Sequence, residues 1–128
     1  MKILGIGVDI VKNKRIQSLI RNRNFIKRTF GTKELKFSEE KINKTNYFAK
    51  RFAAKEAFSK SFGTGMRGHL SFKDIEILND KMGKPFFYKS KKIDQIVQKK
   101  FKIKKYDLLL SLSDEKDHSI AFSILIKK

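Results

Sequence analysis

The sequence of 128 residues contains no cysteine, a single proline and only seven glycines. The absence of cysteine excludes a disulfide framework, a thiolate metal site and a cysteine nucleophile. The scarcity of proline and glycine, together with 40% hydrophobic residues and twelve phenylalanines, argues against a disordered or low-complexity chain. A chain of this length has room for one compact core. We therefore expect a single folded domain over residues 1–128.

Long apolar runs are also lacking. The first apolar stretch, Ile3 to Val11, contains Asp9, is too short to span a bilayer and has no small-residue cleavage site. It therefore predicts neither a membrane helix nor a signal peptide, and we expect a cytoplasmic protein.

Acidic residues are few: 13 against 31 lysines and arginines, for a formal charge of +18. Such an excess indicates an anionic partner, which could be nucleic acid, a phosphorylated small molecule, an acidic protein or an anionic membrane, although a lysine-rich proteome would also enrich every surface in lysine. The segment between Asp9 and Glu34 has no acidic residue but eight basic ones, a pattern that favours contact with an acidic surface. These are Lys12, Lys14, Arg15, Arg21, Arg23, Lys27, Arg28 and Lys33.

The alternation of residues 3–10 is typical of a β-strand with two different faces. Leu4, Ile6, Val8 and Ile10 share one face, and Gly5, Gly7 and Asp9 share the other. The second face carries almost no side chain except a carboxylate.

The remaining pattern alternates helices and strands, which predicts an α+β fold with helices packed on a mainly antiparallel sheet. We expect three helices: Lys12 to about Phe30, with Asn22 and Asn24 as candidate interruptions, about Asn46 to Phe62, and Lys89 to Phe101. We expect strands over Ser71 to Leu78 and Pro85 to Tyr88. A hairpin should end the sequence, with Ile120 to Ile126 as its second strand.

The helix ending at Phe62 carries the most informative spacing. Ala49, Ala53 and Ala57 form a stripe of small side chains that would let a backbone or ligand approach closely. Glu56 and Lys60 lie one turn apart on an adjacent row, and they could form an ordinary surface ion pair. Alternatively, Glu56 and Asp9 could together bind Mg²⁺, which prefers hard oxygen ligands and keeps open positions for phosphate oxygens.

Two glycine pairs lack the rest of a known phosphate-binding motif. Gly5-x-Gly7 has no third glycine, and Gly63-Thr64-Gly65 lacks the Gly-Lys-Ser/Thr ending of a P-loop. The second pair is also suited to stopping the preceding helix.

In order and spacing, these motifs resemble those of the holo-acyl-carrier-protein synthase family of 4'-phosphopantetheinyl transferases. The resemblance rests on Gly5-Ile6-Gly7-Val8-Asp9-Ile10 followed by Arg15-Ile16, on residues 51–60 (RFAAKEAFSK), and on the shorter matches Phe62-Gly63-Thr64-Gly65, Phe72-Lys73-Asp74-Ile75, Asn79-Asp80, Gly83-Lys84-Pro85 and Ser111-Leu112-Ser113-Asp114. It covers nearly the whole chain. Many members of the family have histidine where this chain has Asp114, and others have aspartate.

The resemblance implies transfer of 4'-phosphopantetheine from coenzyme A to a serine of an apo-acyl carrier protein, with release of 3',5'-ADP. The product would serve fatty-acid or lipid synthesis. Asp9 and Glu56 would hold the cofactor Mg²⁺, and Lys60 would lie near the reacting phosphate, so Glu56 and Lys60 are the catalytic candidates. The serine proton could pass to Glu56 or to a metal-bound water. The family also implies a homotrimer with sites between subunits.

The same resemblance assigns two sets of binding residues. Coenzyme A would be bound by Arg51, Lys60, Gly63, Thr64, Gly65, Gly83, Lys84, Pro85, Ser113 and Asp114. The acidic carrier would be bound by Arg15, Arg21, Arg23 and Arg28, of which only Arg15 belongs to a family motif.

Two other classes of function use fewer of these features. A small nucleic-acid-binding protein would account for the charge and the aromatic residues, and a noncatalytic adaptor for acidic proteins would account for the basic segment. Neither explains the placement of Asp9 and Glu56, so we expect partners other than nucleic acid or membrane.

Overall fold

The computed structural model describes residues 1–63 and 70–128. In chain order the elements are β1 (Lys2–Lys12), α1 (Asn13–Leu19), α2 (Arg23–Thr29), α3 (Thr32–Ser38), α4 (Lys44–Phe62), a 3₁₀ turn (Phe72–Asp74), β2 (Ile77–Asn79), β3 (Pro85–Phe87), α5 (Lys91–Phe101), β4 (Tyr106–Asp114) and β5 (His118–Lys127). No helix among these residues is long and apolar enough to cross a membrane.

The sheets are antiparallel throughout. A three-stranded sheet has the order β1-β5-β4, and β2 pairs with β3 in a separate hairpin. The long helix α4 packs across one face of the larger sheet, where buried phenylalanines from several helices complete the core. The predicted α+β class, with helices on a mainly antiparallel sheet, is confirmed.

The glycines of β1 allow the strand to lie directly against the backbone of α4. A β-carbon built at Gly5 would lie 1.8 Å from the carbonyl oxygen of Ser61, and one built at Gly7 would lie 2.0 Å from that of Ala57. Any larger residue would therefore force the two elements apart. The alanine stripe of α4 was predicted to let a backbone or ligand approach closely. The backbone of β1 makes this approach.

The opposite face of the larger sheet is apolar and exposed in the single chain. Ile6, Val8 and Ile10 of β1 are between half and two-thirds exposed, and Ile120 and Phe122 continue the face on β5. Leu4 does not lie on this face, although the sequence pattern predicted that it would. A register shift between Ile3 and Gly5 turns Leu4 toward the core, against which it is partly buried.

A buried ion pair joins α4 to α3, and its hydrogen bonds reach the chain that follows α4. The side chains of Lys55 and Glu34 are both fully buried, with Nζ and Oε1 2.6 Å apart. The ammonium also donates to the carbonyl oxygens of Phe72 and Ile75. The carboxylate accepts from the amides of Gly31 and Ile77. Because every charged group has partners, the pair can exist in the core.

Four expectations about local structure need correction. The segment expected to be helical over residues 12–30 is divided into α1 and α2 at Asn22, one of the two candidate interruptions, because its side chain accepts from the amides of Asn24 and Phe25 and starts α2. The strand expected over residues 71–78 is only β2, because the carboxylate of Asp74 bonds Ser71 and closes a 3₁₀ turn.

The third correction is α3, which the hydrophobic pattern did not predict. The fourth is the start of α5, where Ser90 accepts from the amide of Ile93, so the helix begins at Lys91.

The end of α4 agrees with expectation, since Gly63 follows it with a φ of +84°, a conformation that favours glycine.

The contact between β1 and α4 predicts a specific instability. Replacing Gly7 with alanine places a methyl group where the Ala57 carbonyl lies, so we expect the free energy of unfolding to fall by about 3 kcal/mol, the upper end of overpacking costs. Urea denaturation followed by circular dichroism measures this change. Lys12→Ala is the matched control, because Lys12 is exposed on the same strand and should change stability by less than about 0.5 kcal/mol. Equal stability of Gly7→Ala and the control would contradict this account of the packing.

Candidate active site

The contact between β1 and α4 brings Asp9 beside the end of the helix. The Nζ of Lys60 lies 3.2 Å from Oδ1 of Asp9 and donates to the carbonyl oxygen of Val8 at 3.0 Å. The Asp9 side chain is 15% exposed, whereas that of Lys60 is 55% exposed. Asp9 is therefore mostly enclosed, with the exposed ammonium of Lys60 beside it.

Glu56 lies one turn before Lys60 on α4 and is half-buried. Burial raises its pKa above the ordinary value of 4.5, and the negative charge of Asp9 raises it further, while Lys60 and Arg15 act in the opposite direction. The two carboxylates are thus close enough for each charge to affect the other. Lys60 forms its ion pair with Asp9. The structure therefore does not show the alternative, a simple surface pair between Glu56 and Lys60.

Arg15 projects from α1 toward the same place. Its guanidinium carbon lies 5.8 Å from the centre of the Phe52 ring, and its charge lowers the pKa of Glu56. Arg15 therefore borders the carboxylate pair, although the sequence suggested only a role in docking the carrier.

The other three arginines predicted to bind the carrier lie farther along the basic segment. Arg21, Arg23 and Arg28 are all exposed, and Arg28 lies over the ring of Phe25, with its guanidinium carbon 5.6 Å from the ring centre. They are accessible to a partner, and their carrier-binding role stays a prediction.

Five of the ten predicted coenzyme A residues line a single cleft of about 830 Å³, which we call the Arg51 cleft. Arg51, Gly83, Lys84, Pro85 and Asp114 are among its lining residues. Ser113 is next to the cleft in sequence but does not line it, and neither do Lys60 or Gly63. Thr64 and Gly65 lie outside the described residues.

Arg51 is the unusual group of this cleft, because it is only 4% exposed. Its guanidinium stacks on Tyr47, 3.7 Å from the ring centre, and donates to Oδ1 of Asn79 at 2.5 Å. Its Nε has no hydrogen-bond partner among the described residues. Burial lowers the pKa of Arg51, which an anionic ligand in the cleft would offset.

Among the cleft residues that sequence reasoning missed, Tyr47 and Asn46 make informative contacts. Tyr47 lies one helical turn before Arg51, a spacing that could have indicated the stacking. Asn46 donates to the carboxylate of Asp114, and this contact between α4 and the end of β4 carries no sequence signal. It places Asp114 at the cleft, at the position where many family members have histidine.

The carboxylate pair has the chemistry expected of a magnesium site. No group of three or more Asp, Glu, His or Cys side chains that could hold a metal occurs in residues 1–63 and 70–128. Two carboxylates are nevertheless sufficient for Mg²⁺, which commonly binds one or two of them and takes its other ligands from water and substrate phosphates. Burial, and then the charge of Asp9, raise the pKa of Glu56, and both effects disfavour a charged carboxylate that a cation would stabilise.

Comparison with known proteins agrees with the motifs. The family model described as the 4'-phosphopantetheinyl transferase superfamily matches residues 5–123. A holo-[acyl-carrier-protein] synthase of Pelagibacter ubique is 56% identical over 128 residues, the full length of both chains.

Solved structures give the same result. The holo-[acyl-carrier-protein] synthase of Neisseria meningitidis is 41% identical, with a TM-score of 0.87 over 98% of this chain and 99% of that one. The synthase of Bacillus anthracis, solved in complex with CoA (3',5'-ADP), is 32% identical, with a TM-score of 0.81 over all of both chains. The chain therefore belongs to the holo-acyl-carrier-protein synthase family, within the 4'-phosphopantetheinyl transferase superfamily.

Proposed function

We propose that this protein transfers 4'-phosphopantetheine from coenzyme A to a serine of an apo-acyl carrier protein, releasing 3',5'-ADP. The observation that carries the proposal is the meeting of Asp9, Glu56 and Lys60 in a full-length member of this family. The product is the holo-carrier needed for fatty-acid or lipid synthesis. A cytoplasmic location stays a prediction from the sequence.

Coenzyme A is the proposed ligand of the Arg51 cleft. The buried guanidinium of Arg51 and the exposed Lys84 would face its phosphates, and the cleft has the volume for a nucleotide-sized ligand. The complex of the Bacillus anthracis protein with CoA (3',5'-ADP) supports this choice.

In the reaction, the serine oxygen of the carrier forms a bond to the pantetheine-bearing phosphorus as the bond from that phosphorus to the ADP oxygen breaks. We assign the serine proton to Glu56, because its carboxylate lies one helical turn from Lys60, which would face the reacting phosphate. Lys60, anchored beside Asp9, would offset negative charge that develops on the phosphoryl oxygens. Mg²⁺ at Asp9 and Glu56 would supply further electrostatic stabilisation and orient the pyrophosphate.

We further propose that the active enzyme is a trimer with sites between subunits. Arg51 and Glu56 are five residues apart, about 140° around α4, so the Arg51 cleft and the carboxylate pair lie on different sides of one helix. A neighbouring copy could bring a cleft to the carboxylate pair. The exposed apolar face of β1 and β5 is a suitable surface for such assembly.

The carboxylate pair is tested by Asp9→Asn and Glu56→Gln, which keep side-chain size. Each should lower the transfer rate at least about 10³-fold, because several kcal/mol of charge stabilisation would be lost. Mass spectrometry of the carrier, incubated with coenzyme A and Mg²⁺, measures the added 4'-phosphopantetheine. Glu39→Gln, at an exposed position, is the control. Near-normal rates in either site variant would rule out the two-carboxylate site, and an unmodified carrier with the wild-type enzyme would rule out the proposed function.

Lys60 is tested separately from the metal. In Lys60→Ala we expect the single-turnover rate at saturating coenzyme A to fall about 10²-fold, the usual loss when one charge-stabilising group is removed. Mg²⁺ affinity should stay the same or increase, because a competing cation next to Asp9 has gone. Lys60→Arg should restore part of the rate, since a guanidinium keeps the charge but differs in shape. A normal rate in Lys60→Ala, or a loss that excess Mg²⁺ repairs, would contradict this role.

The basic segment predicts different effects for two arginines. Arg21→Glu should raise the KM for the carrier and leave the KM for coenzyme A nearly unchanged, with an effect that salt weakens. Arg15→Glu should raise the carrier KM and also lower kcat, because it places a negative charge beside Glu56. Steady-state kinetics with each substrate varied, at two salt concentrations, measures both. Identical profiles of the two variants would contradict the structural distinction between them.

A further inference from the structure

A second groove, which we call the lysine groove, lies apart from the Arg51 cleft and the carboxylate pair. It has a volume of about 720 Å³, and its lining includes five lysines from α2, α3, the 3₁₀ turn and α5. These are Lys27, Lys33, Lys73, Lys91 and Lys92, and all five are exposed. None of the residues predicted to bind coenzyme A, metal or carrier is among its described lining residues.

The charge of this groove is positive after its own carboxylates are counted. Asp74 and Glu76 also line it, so the five lysines leave an excess of three positive charges. Asp74 pairs with Lys92 at 3.3 Å, and Glu76 accepts from the backbone amides of Lys33 and Glu34.

Four of the five lysines are not paired with a local carboxylate. In residues 1–63 and 70–128, no carboxylate forms an ion pair with Lys27, Lys33, Lys73 or Lys91. Lys33 is positioned by Tyr88, with its Nζ 4.7 Å from the ring centre. The groove thus presents a cluster of exposed cations, most of which no local acid balances.

The groove is continuous with the predicted carrier surface through α2. Arg23 and Lys27 are four residues apart and so share a face of this short helix. A carrier that contacts Arg23 would therefore meet Lys27 next, and the lysines of the groove beyond it.

We propose that the lysine groove docks a second acidic segment of the carrier protein, beyond the surface formed by Arg15, Arg21, Arg23 and Arg28. This proposal rests on the proposed function, because it takes the acyl carrier protein as the acidic partner. The groove would extend the contact from α1 and α2 to α3, the 3₁₀ turn and α5. Its role is recognition and orientation of the carrier, and coenzyme A is not involved.

Two features favour an acidic protein over nucleic acid in this groove. Lys33 lies over one face of the Tyr88 ring, so that face is not free for a base to stack on. A phosphate backbone presents a continuous row of negative charge, which would meet Asp74 and Glu76 as well as the lysines. Carboxylates on a protein surface are spaced and can avoid those two positions.

The test is the double charge reversal Lys73→Glu/Lys91→Glu, with Lys104→Glu/Lys105→Glu as a control of equal charge change at exposed positions outside the groove. Glutamate at position 91 is the first residue of α5, where negative charge is favourable, so the fold should tolerate it. We expect the KM for the carrier to rise roughly tenfold relative to the control at low ionic strength, and less at high salt. The kcat and the KM for coenzyme A should stay within about twofold of the wild-type values.

The outcomes separate the two proposals. Failure of the wild-type enzyme to modify the carrier overturns the proposed function itself. If the wild type is active, a carrier KM equal to that of the control variant overturns the lysine groove. An equal rise in the KM for coenzyme A also overturns it, since the groove would then serve the nucleotide. So does selective loss of binding to a fluorescent single-stranded oligonucleotide with an unchanged carrier KM.

Discussion

The direct contact of the β1 backbone with the α4 backbone decides where the groups of the candidate active site lie. Gly5 and Gly7 remove every side chain from the strand face that meets Ser61 and Ala57. Asp9, the next residue on that face, therefore arrives at the level of the last turns of the helix. A carboxylate pair forms because two backbones approach more closely than side chains would normally permit.

A second constraint holds the other side of α4. The buried Lys55–Glu34 pair ties the helix to α3 and to the chain around Phe72 and Ile75. Lys55 and Glu56 are adjacent in sequence yet have different environments, because consecutive helix residues point about 100° apart. Lys55 forms an ion pair in the core, and Glu56 stays half-buried with a raised pKa. The core pair fixes the rotation of α4 that presents Glu56 to Asp9.

The sequence allowed the site carboxylates to be predicted because their signals are local. A glycine-cleared strand face and an alanine stripe each follow from periodicity, and the ordered motifs identified the family. Other features depend on contacts distant in sequence. Glu34 looks like one acidic residue at the end of a basic segment, and only its partner 21 residues later shows that it is buried. The stacking of Arg51 on Tyr47 and its hydrogen bond to Asn79 also depend on packing that the hydrophobic pattern does not encode.

The central claim is that this packing half-buries Glu56 close enough to Asp9 to feel its charge, at a cost that a cation would relieve. The most direct test is the difference in unfolding midpoint between Glu56→Gln and the wild type without metal, measured between about pH 4 and pH 7. Because the folded pKa of Glu56 is raised, the folded wild type binds more protons than the unfolded chain, and its stability falls as the pH rises through that pKa. Glu56→Gln lacks this titrating group and does not lose stability in this way. The stability of Glu56→Gln relative to the wild type should therefore increase with pH, and this difference should shrink when Mg²⁺ is added. A difference that stays constant with pH, or that favours the wild type more as the pH rises, would contradict the account.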